Sequence, residues 1–331
     1  MFDAHLHLWD RNRFAYPWMD GNADLPQVSA PGAPGFPDAD FPVGAVFVEA
    51  GVAAAQRLDE VAWVADLAPA AGIRGIVAAV DLLDTAALAG QLAALREFPL
   101  VVGVRDNFEG LPAGVLAERL PGLLAVLSAG LRVDVCIRHE QAAELAGLLE
   151  AVAAQRGDAS GVVLDHIAKP GLEDLAGVSE AASAAEAAAQ RSAVLAAARD
   201  AWLPGIRRLA TIESLAVKIS GLPGQVPGPV TGELAGQLAQ TFLPPLLEAF
   251  GPDRVLFGSD HPVSTLAHGL DYRVWFGALH LTLAGILKAD ELEAVLSDNA
   301  LRFYGLADLP TDEDLPADDQ AGNTQTMKES R

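Results

Sequence analysis

Short aliphatic runs recur along the chain at residues 2–8, 43–49, 75–80, 100–105, 131–137, 161–166, 215–220 and 254–259. Each is rich in Val, Ile, Leu or Phe and shows little alternation, the pattern of parallel strands buried on both faces. Most are separated by roughly 20–30 residues, the room a crossover helix needs. Residues 54–70 carry Leu58, Val61, Ala62, Val64, Ala65 and Ala68 at helical spacing, and 86–95 repeat the pattern. Eight strands alternating with helices predict an α/β protein, a TIM (β/α)8 barrel, spanning 1–306 as one domain. The last barrel helices are expected at 272–287 and 290–304. No GxGxxG follows any strand, which counts against a dinucleotide fold.

Two connections exceed what one helix requires. Residues 10–42 are rich in aromatics, prolines and glycines, and predict an ordered loop after strand one that covers the barrel top. Residues 171–214 are Ala-rich. They predict a helical insertion, with a strong helix at 179–199 and a short one at 201–212, either decorative or a lid.

The first strand departs from the apolar rule. Phe2, Ala4, Leu6 and Leu8 fall on one face, and Asp3, His5 and His7 on the other. Two histidines at i and i+2 stand side by side, close enough to share one metal ion or one substrate oxygen. Barrel chemistry sits at the C-terminal strand ends, and the other ends are also polar. They carry Glu49, Arg105-Asp106-Asn107, Arg138-His139, Asp165-His166 with Lys169, Lys218 with Ser220, and Ser259-Asp260-His261. Charged residues are only 20% of the chain, so this clustering at one end points to a site. Asp260 follows Val255-Leu256-Phe257-Gly258, where a carboxylate needs a partner. Arg105 suits a substrate carboxylate or carbonyl oxygen, or a brace for Asp106 or Glu49. Lys169 suits substrate or a salt bridge equally. His139, His268 and His280 read as surface or core residues.

The net charge of −22 argues against a nucleic-acid surface, though a local arginine can still hold an anionic substrate. Residues 307–331 hold seven acids, two bases and two prolines, and predict a solvated, disordered tail. No apolar run is long enough to span a membrane, and no signal peptide precedes the first strand. A single cysteine, Cys136, cannot form an intrachain disulfide. These features suggest a cytoplasmic protein acting on a small molecule, with neither nucleic-acid nor membrane partner.

The ordered motifs Asp3-Ala4-His5-Leu6-His7-Leu8-Trp9, Tyr16-Pro17-Trp18, Gly103-Val104-Arg105, Leu164-Asp165-His166-Ile167-Ala168-Lys169-Pro170, Lys218-Ile219-Ser220-Gly221-Leu222, Val255-Leu256-Phe257-Gly258-Ser259-Asp260 and Asn299-Ala300-Leu301-Arg302-Phe303-Tyr304-Gly305-Leu306 resemble the amidohydrolase superfamily. The likeness is strongest to the amidohydrolase-2 group of sugar lactonases and 2-pyrone-4,6-dicarboxylate lactonase. It implies a distorted barrel hydrolysing a lactone or ester. His5, His7, His166 and Asp260 match the positions that hold one divalent metal, often zinc, in some members; other members need none. His261 stands where lactonase relatives carry Trp. Arg105 replaces the superfamily's carboxylated lysine, which disfavours a two-metal centre.

On this reading Asp260 is the catalytic base. His166 and the two strand-one histidines polarise the carbonyl, with or without zinc, and Arg105 grips an oxygen. Glu49, Lys169, His261 and Trp18 complete the substrate contacts. Competing readings are a metal-dependent decarboxylase or hydratase of an unsaturated acid, and a barrel that binds without turnover.

Overall fold

The computed structural model describes residues 1–37, 42–178 and 183–306. Eight of the strands among the described residues form one sheet in chain order: β1 (Asp3–Leu6), β2 (Ala45–Val48), β3 (Ile73–Ala79), β4 (Val101–Asn107), β5 (Arg132–Cys136), β6 (Val162–Leu164), β7 (Ala216–Ile219) and β8 (Val255–Phe257); Trp9–Asp10 and Val28–Ser29 pair separately and antiparallel. Every neighbouring pair from β1 to β8 is parallel. The ring closes between β1 and the residues just after β8. There the Asp260 N–H donates to His5 O at 2.8 Å and the His7 N–H to His261 O at 2.9 Å. The seam of the barrel therefore runs through the histidine strand.

Seven helices follow β2 to β8: α1 (Arg57–Ala71), α2 (Thr85–Leu95), α3 (Leu120–Ser128), α4 (Ala142–Arg156), α5 (Ala184–Ala210), α6 (Gly232–Phe250) and α7 (Tyr272–Ala284). Strand β1 has no helix of its own. The loop expected after it is ordered over 10–37, with Phe14, Tyr16, Met19 and Leu25 buried; residues 38–41 of that expectation lie outside the described residues. A final helical stretch, Ala289–Glu293 continuing to Asn299–Tyr304 through a π-helical segment at Ala294–Asp298, ends the described chain. The expected acidic tail, 307–331, lies outside the described residues.

The expected insertion at 171–214 needs correction. It holds α5, which follows β6 and packs on α4 and α6, so it is the sixth barrel helix itself. It is one helix rather than two, running through Pro204. The proline removes one N–H from the ladder and marks no break. Residues 179–182 of that expectation lie outside the described residues.

Inside the barrel, side chains are layered. At the N-terminal end Phe2, Ala4, Val46, Val77, Val163 and Leu256 pack together, with Tyr304 at the end of the last helix and Leu306 just beyond it. Above them the interior turns ionic, with Asp134, Lys218 and Asp165 all buried. The phase expected for β1 holds only from His5 onward. The strand register shifts between Asp3 and Leu6. Asp3 accepts hydrogen bonds from the His5 and Ser259 N–H groups and from the Tyr272 hydroxyl of α7. Asp3 thus braces the irregularity from outside, and only His5 and His7 enter the barrel.

One buried acid outside this system yields a prediction. Burial raises the Glu60 carboxyl on α1 well above its usual 4.5, and the charge of Glu49 adds to the effect. Below pH 4.5 the group is protonated in both folded and unfolded chains. As pH rises the unfolded chain ionises first, so stability falls up to the folded-state pKa. Glu60→Gln should remove this slope and be more stable at pH 8 by ~1–2 kcal/mol. Denaturant melts at pH 5 and pH 8 check it; an unchanged pH slope in the variant refutes it.

No helix among the described residues is long and apolar enough to cross a membrane.

Candidate active site

At the C-terminal end of the strands three imidazoles converge on one carboxylate oxygen. Asp260 Oδ1 lies 3.2 Å from His7 Nε2, 3.8 Å from His5 Nε2 and 3.9 Å from His166 Nε2. The two strand-one Nε2 atoms are 3.2 Å apart. Each Nδ1 is tied elsewhere: His7 to Val48 O at 2.8 Å, His166 to Ser220 Oγ at 2.9 Å, and His5 to Asp165 Oδ1 at 3.2 Å. Such outer contacts fix ring orientation and leave Nε2 facing inward. Burial pushes His5 well below the usual imidazole range and His166 down to about 4. Both are neutral at pH 7, the form that ligates metal. Burial raises Asp260, but the surrounding His166 and His7 outweigh it and hold the carboxyl ionised, well below its usual range. Its Oδ2 accepts from Ser264 Oγ at 2.5 Å.

Two glycines make this crowding possible. A Cβ on Gly258 would lie 2.8 Å from His5 Cβ, and one on Gly221 would lie 2.4 Å from His166 Nδ1.

His166 was expected at the end of a strand. It sits instead in a left-handed turn, where His166, Ile167, Ala168 and Lys169 have φ of 53°, 48°, 61° and 42°. Four such residues in a row, one of them β-branched, are strained and persist only where surroundings impose them. Trp202 of α5 supplies that support. It is fully buried, and its indole N–H donates to Ile167 O at 2.6 Å. The turn aims both His166 and Lys169 at the cavity.

Beneath the imidazoles lies a buried ionic layer. Lys218 pairs with Asp134 and lies 3.1 Å from Asp165 Oδ1. Tyr304 donates to Asp134 Oδ1 at 2.8 Å. Arg105 binds Glu49 at 2.6 Å through Nε and lies 3.5 Å from Asp165 Oδ2 through Nη1. Burial opposes ionisation of Asp165, but Lys218 outweighs it and holds the carboxyl well below its usual range. In this connected set two cations face four carboxylates: Lys218 and Arg105 against Glu49, Asp134, Asp165 and Asp260. With all of them ionised, two negative charges are in surplus.

A cavity of about 580 Å³ opens above this layer, a size suited to a small molecule. His7, His166 and Asp260 reach it, as do Arg105, Glu49, Lys169 and Trp18. Arg105 and Glu49 are bound to each other, and Lys169 is held by Glu109 at 2.5 Å. Trp18 is 48% exposed, with its indole N–H on Ala50 O. His261 is placed differently from the expectation. Its Nδ1 meets Thr265 Oγ1 at 2.7 Å, and its ring packs near Phe36 and Tyr272. It is not among the residues lining the cavity, because adjacent positions at the seam face opposite ways. His139, His268 and His280 also stand apart from the lining.

A family profile described as amidohydrolase matches residues 2–306. The chain belongs to the amidohydrolase family. This amidohydrolase is thus a hydrolase-type enzyme on a TIM barrel. It is 28% identical over 314 residues to an L-fucono-1,5-lactonase of Burkholderia multivorans, covering 92% of this chain and 95% of that one. A crystal structure of a Burkholderia multivorans amidohydrolase with bound HEPES matches it with TM-score 0.72 and 25% identity, over 92% of this chain and 99% of the other. Another, with bound zinc, matches with TM-score 0.70 and 26% identity over the same shares.

Sequence reasoning placed His5, His7, His166 and Asp260 at strand ends, and the fold brings them together. It did not assign the outer partners Asp165, Asp134, Ser220 and Glu109. For Asp134 a signal existed: an acid inside the apolar run Val133-Asp134-Val135 must face a buried counter-charge.

Proposed function

We propose that this amidohydrolase opens a lactone or related carboxylic ester of a small polar substrate, with a single divalent cation, zinc first, at His5, His7, His166 and Asp260. The convergence of three Nε2 atoms on Asp260 Oδ1 carries the reading. Two ligands at ~2.0–2.1 Å from a tetrahedral ion stand roughly 3.3 Å apart; the ligand atoms of His5, His7 and Asp260 stand 3.2–3.8 Å from one another, and His166 Nε2 lies 3.9 Å from Asp260 Oδ1. The two surplus negative charges fit the same occupant. A divalent ion held there supplies a Lewis acid and lowers the pKa of water.

The chain's own groups divide the remaining work. Ionised Asp260 takes a proton from the attacking water, and the new C–O bond forms at the lactone carbonyl. Asp260 then returns the proton to the ring oxygen as the acyl C–O bond breaks, giving a hydroxy acid. Glu49 and the backbone hold Arg105 rigid, so its guanidinium meets substrate oxygens already oriented. Trp18 offers a flat apolar wall to a ring.

The test is zinc titration of stripped protein by calorimetry. One tight site is expected, lost in His5→Ala and His7→Ala; stoichiometry unchanged by both substitutions refutes the assignment. The strained turn makes a second expectation. Trp202→Phe keeps the ring against Phe242 but removes the donor to Ile167 O. Zinc affinity should fall ~10-fold or more with circular dichroism retained. Wild-type affinity would show that Trp202 does not support His166.

A further inference from the structure

Among the cations lining the cavity, Arg57 differs from the others. Arg105 is bound by Glu49 and Lys169 by Glu109. The nearby acid Asp106 is engaged by Arg119. Asp260 belongs to the imidazole cluster. Arg57, in the first turn of α1, lines the same cavity and has no ion pair or hydrogen bond among the described residues. Its Nε is shielded from solvent and unpartnered. With Nε enclosed by protein, the two Nη groups are what this unpaired guanidinium can offer a ligand oxygen at the cavity wall.

We infer that Arg57 binds a carboxylate that the substrate already carries, remote from the carbonyl that is opened. This rests on the lactone reading above and narrows it to lactones of dicarboxylic hydroxy acids, such as the monolactones of aldaric acids. Hydrolysis adds water across the acyl C–O bond and creates a second carboxylate at the imidazole cluster. The first stays with Arg57. One planar guanidinium matches one carboxylate through two parallel hydrogen bonds. A doubly charged phosphate fits less well, because Glu49, Asp106 and Glu109 line the same space. Arg57 is then the residue that selects among lactones of one ring size.

The experiment pairs an aldaric monolactone with the aldonolactone of the same ring, which has an uncharged carbon in place of the carboxylate. Zinc-loaded wild type should favour the charged substrate in kcat/KM. In Arg57→Gln the value for the charged lactone should fall ~10-fold or more beyond any fall for the neutral one, mostly through KM, and Arg57→Lys should recover part of it. Wild type favouring the neutral lactone, or equal losses on both, overturns the inference and leaves the lactone reading standing. Calorimetry with the open-chain aldarate and aldonate gives a readout independent of turnover. If neither lactone is opened, the lactone reading fails. The subsite is then upheld by tighter aldarate binding that Arg57→Gln abolishes, and overturned by equal binding of the two acids.

Discussion

Asp260→Asn should lower kcat by ~10³-fold while the protein folds as before. Asparagine fills the same space and can still bond Ser264, but it cannot accept and return a proton. The site holds the Asp260 carboxyl ionised, so the neutral amide should lower the melting temperature of the metal-free protein modestly, and zinc affinity falls as well. A cooperative melt retained while turnover collapses separates a chemical role from a structural one. A variant that no longer folds would make Asp260 a brace. A variant with unchanged turnover would remove it from the chemistry.

Lys218→Met should destabilise the protein by ~3–5 kcal/mol, because Asp134 and Asp165 lose the cation that holds them in the barrel interior. For a chain of this size the melting temperature should drop by about 10 °C. The cost lies in the orphaned carboxylates, so Lys218→Met combined with Asp134→Asn should recover a large part of it. Thermal melts of the two single variants and the double variant give the coupling directly. A single variant melting with wild type would mean the interior is hydrated enough to do without the pair.

How much of this was legible in the sequence follows from how local each cause is. The barrel was readable because parallel strands demand apolar runs and crossovers demand length. His5 and His7 were readable because a strand alternates, and Asp260 because it ends an apolar run. Asp3 was misplaced, since the shift in register depends on Ser259 and Tyr272, some 250 residues away in the chain. The left-handed turn at His166 was hidden for a similar reason. Ile167 does not favour that conformation, and Trp202 imposes it from α5. The Ala-rich segment looked like an addition because its helix is long, and only its packing on α4 and α6 shows it to be part of the ring. His261 illustrates the converse. It adjoins Asp260 in sequence, yet the seam turns it into the core. Pairings such as Arg105 with Glu49 span 56 residues, and composition could not choose between substrate and partner.

The most direct test of the central claim is proton release from a panel of sugar and dicarboxylic-acid lactones, followed for wild type and Asp260→Asn, each stripped and then reloaded with zinc. Zinc-loaded wild type should open at least one lactone to its hydroxy acid, lose that activity on stripping and regain it on reloading, while Asp260→Asn stays ~10³-fold slower throughout. Lactone opening at equal rates by Asp260→Asn and wild type, or no opening by a zinc-loaded wild type, would contradict it.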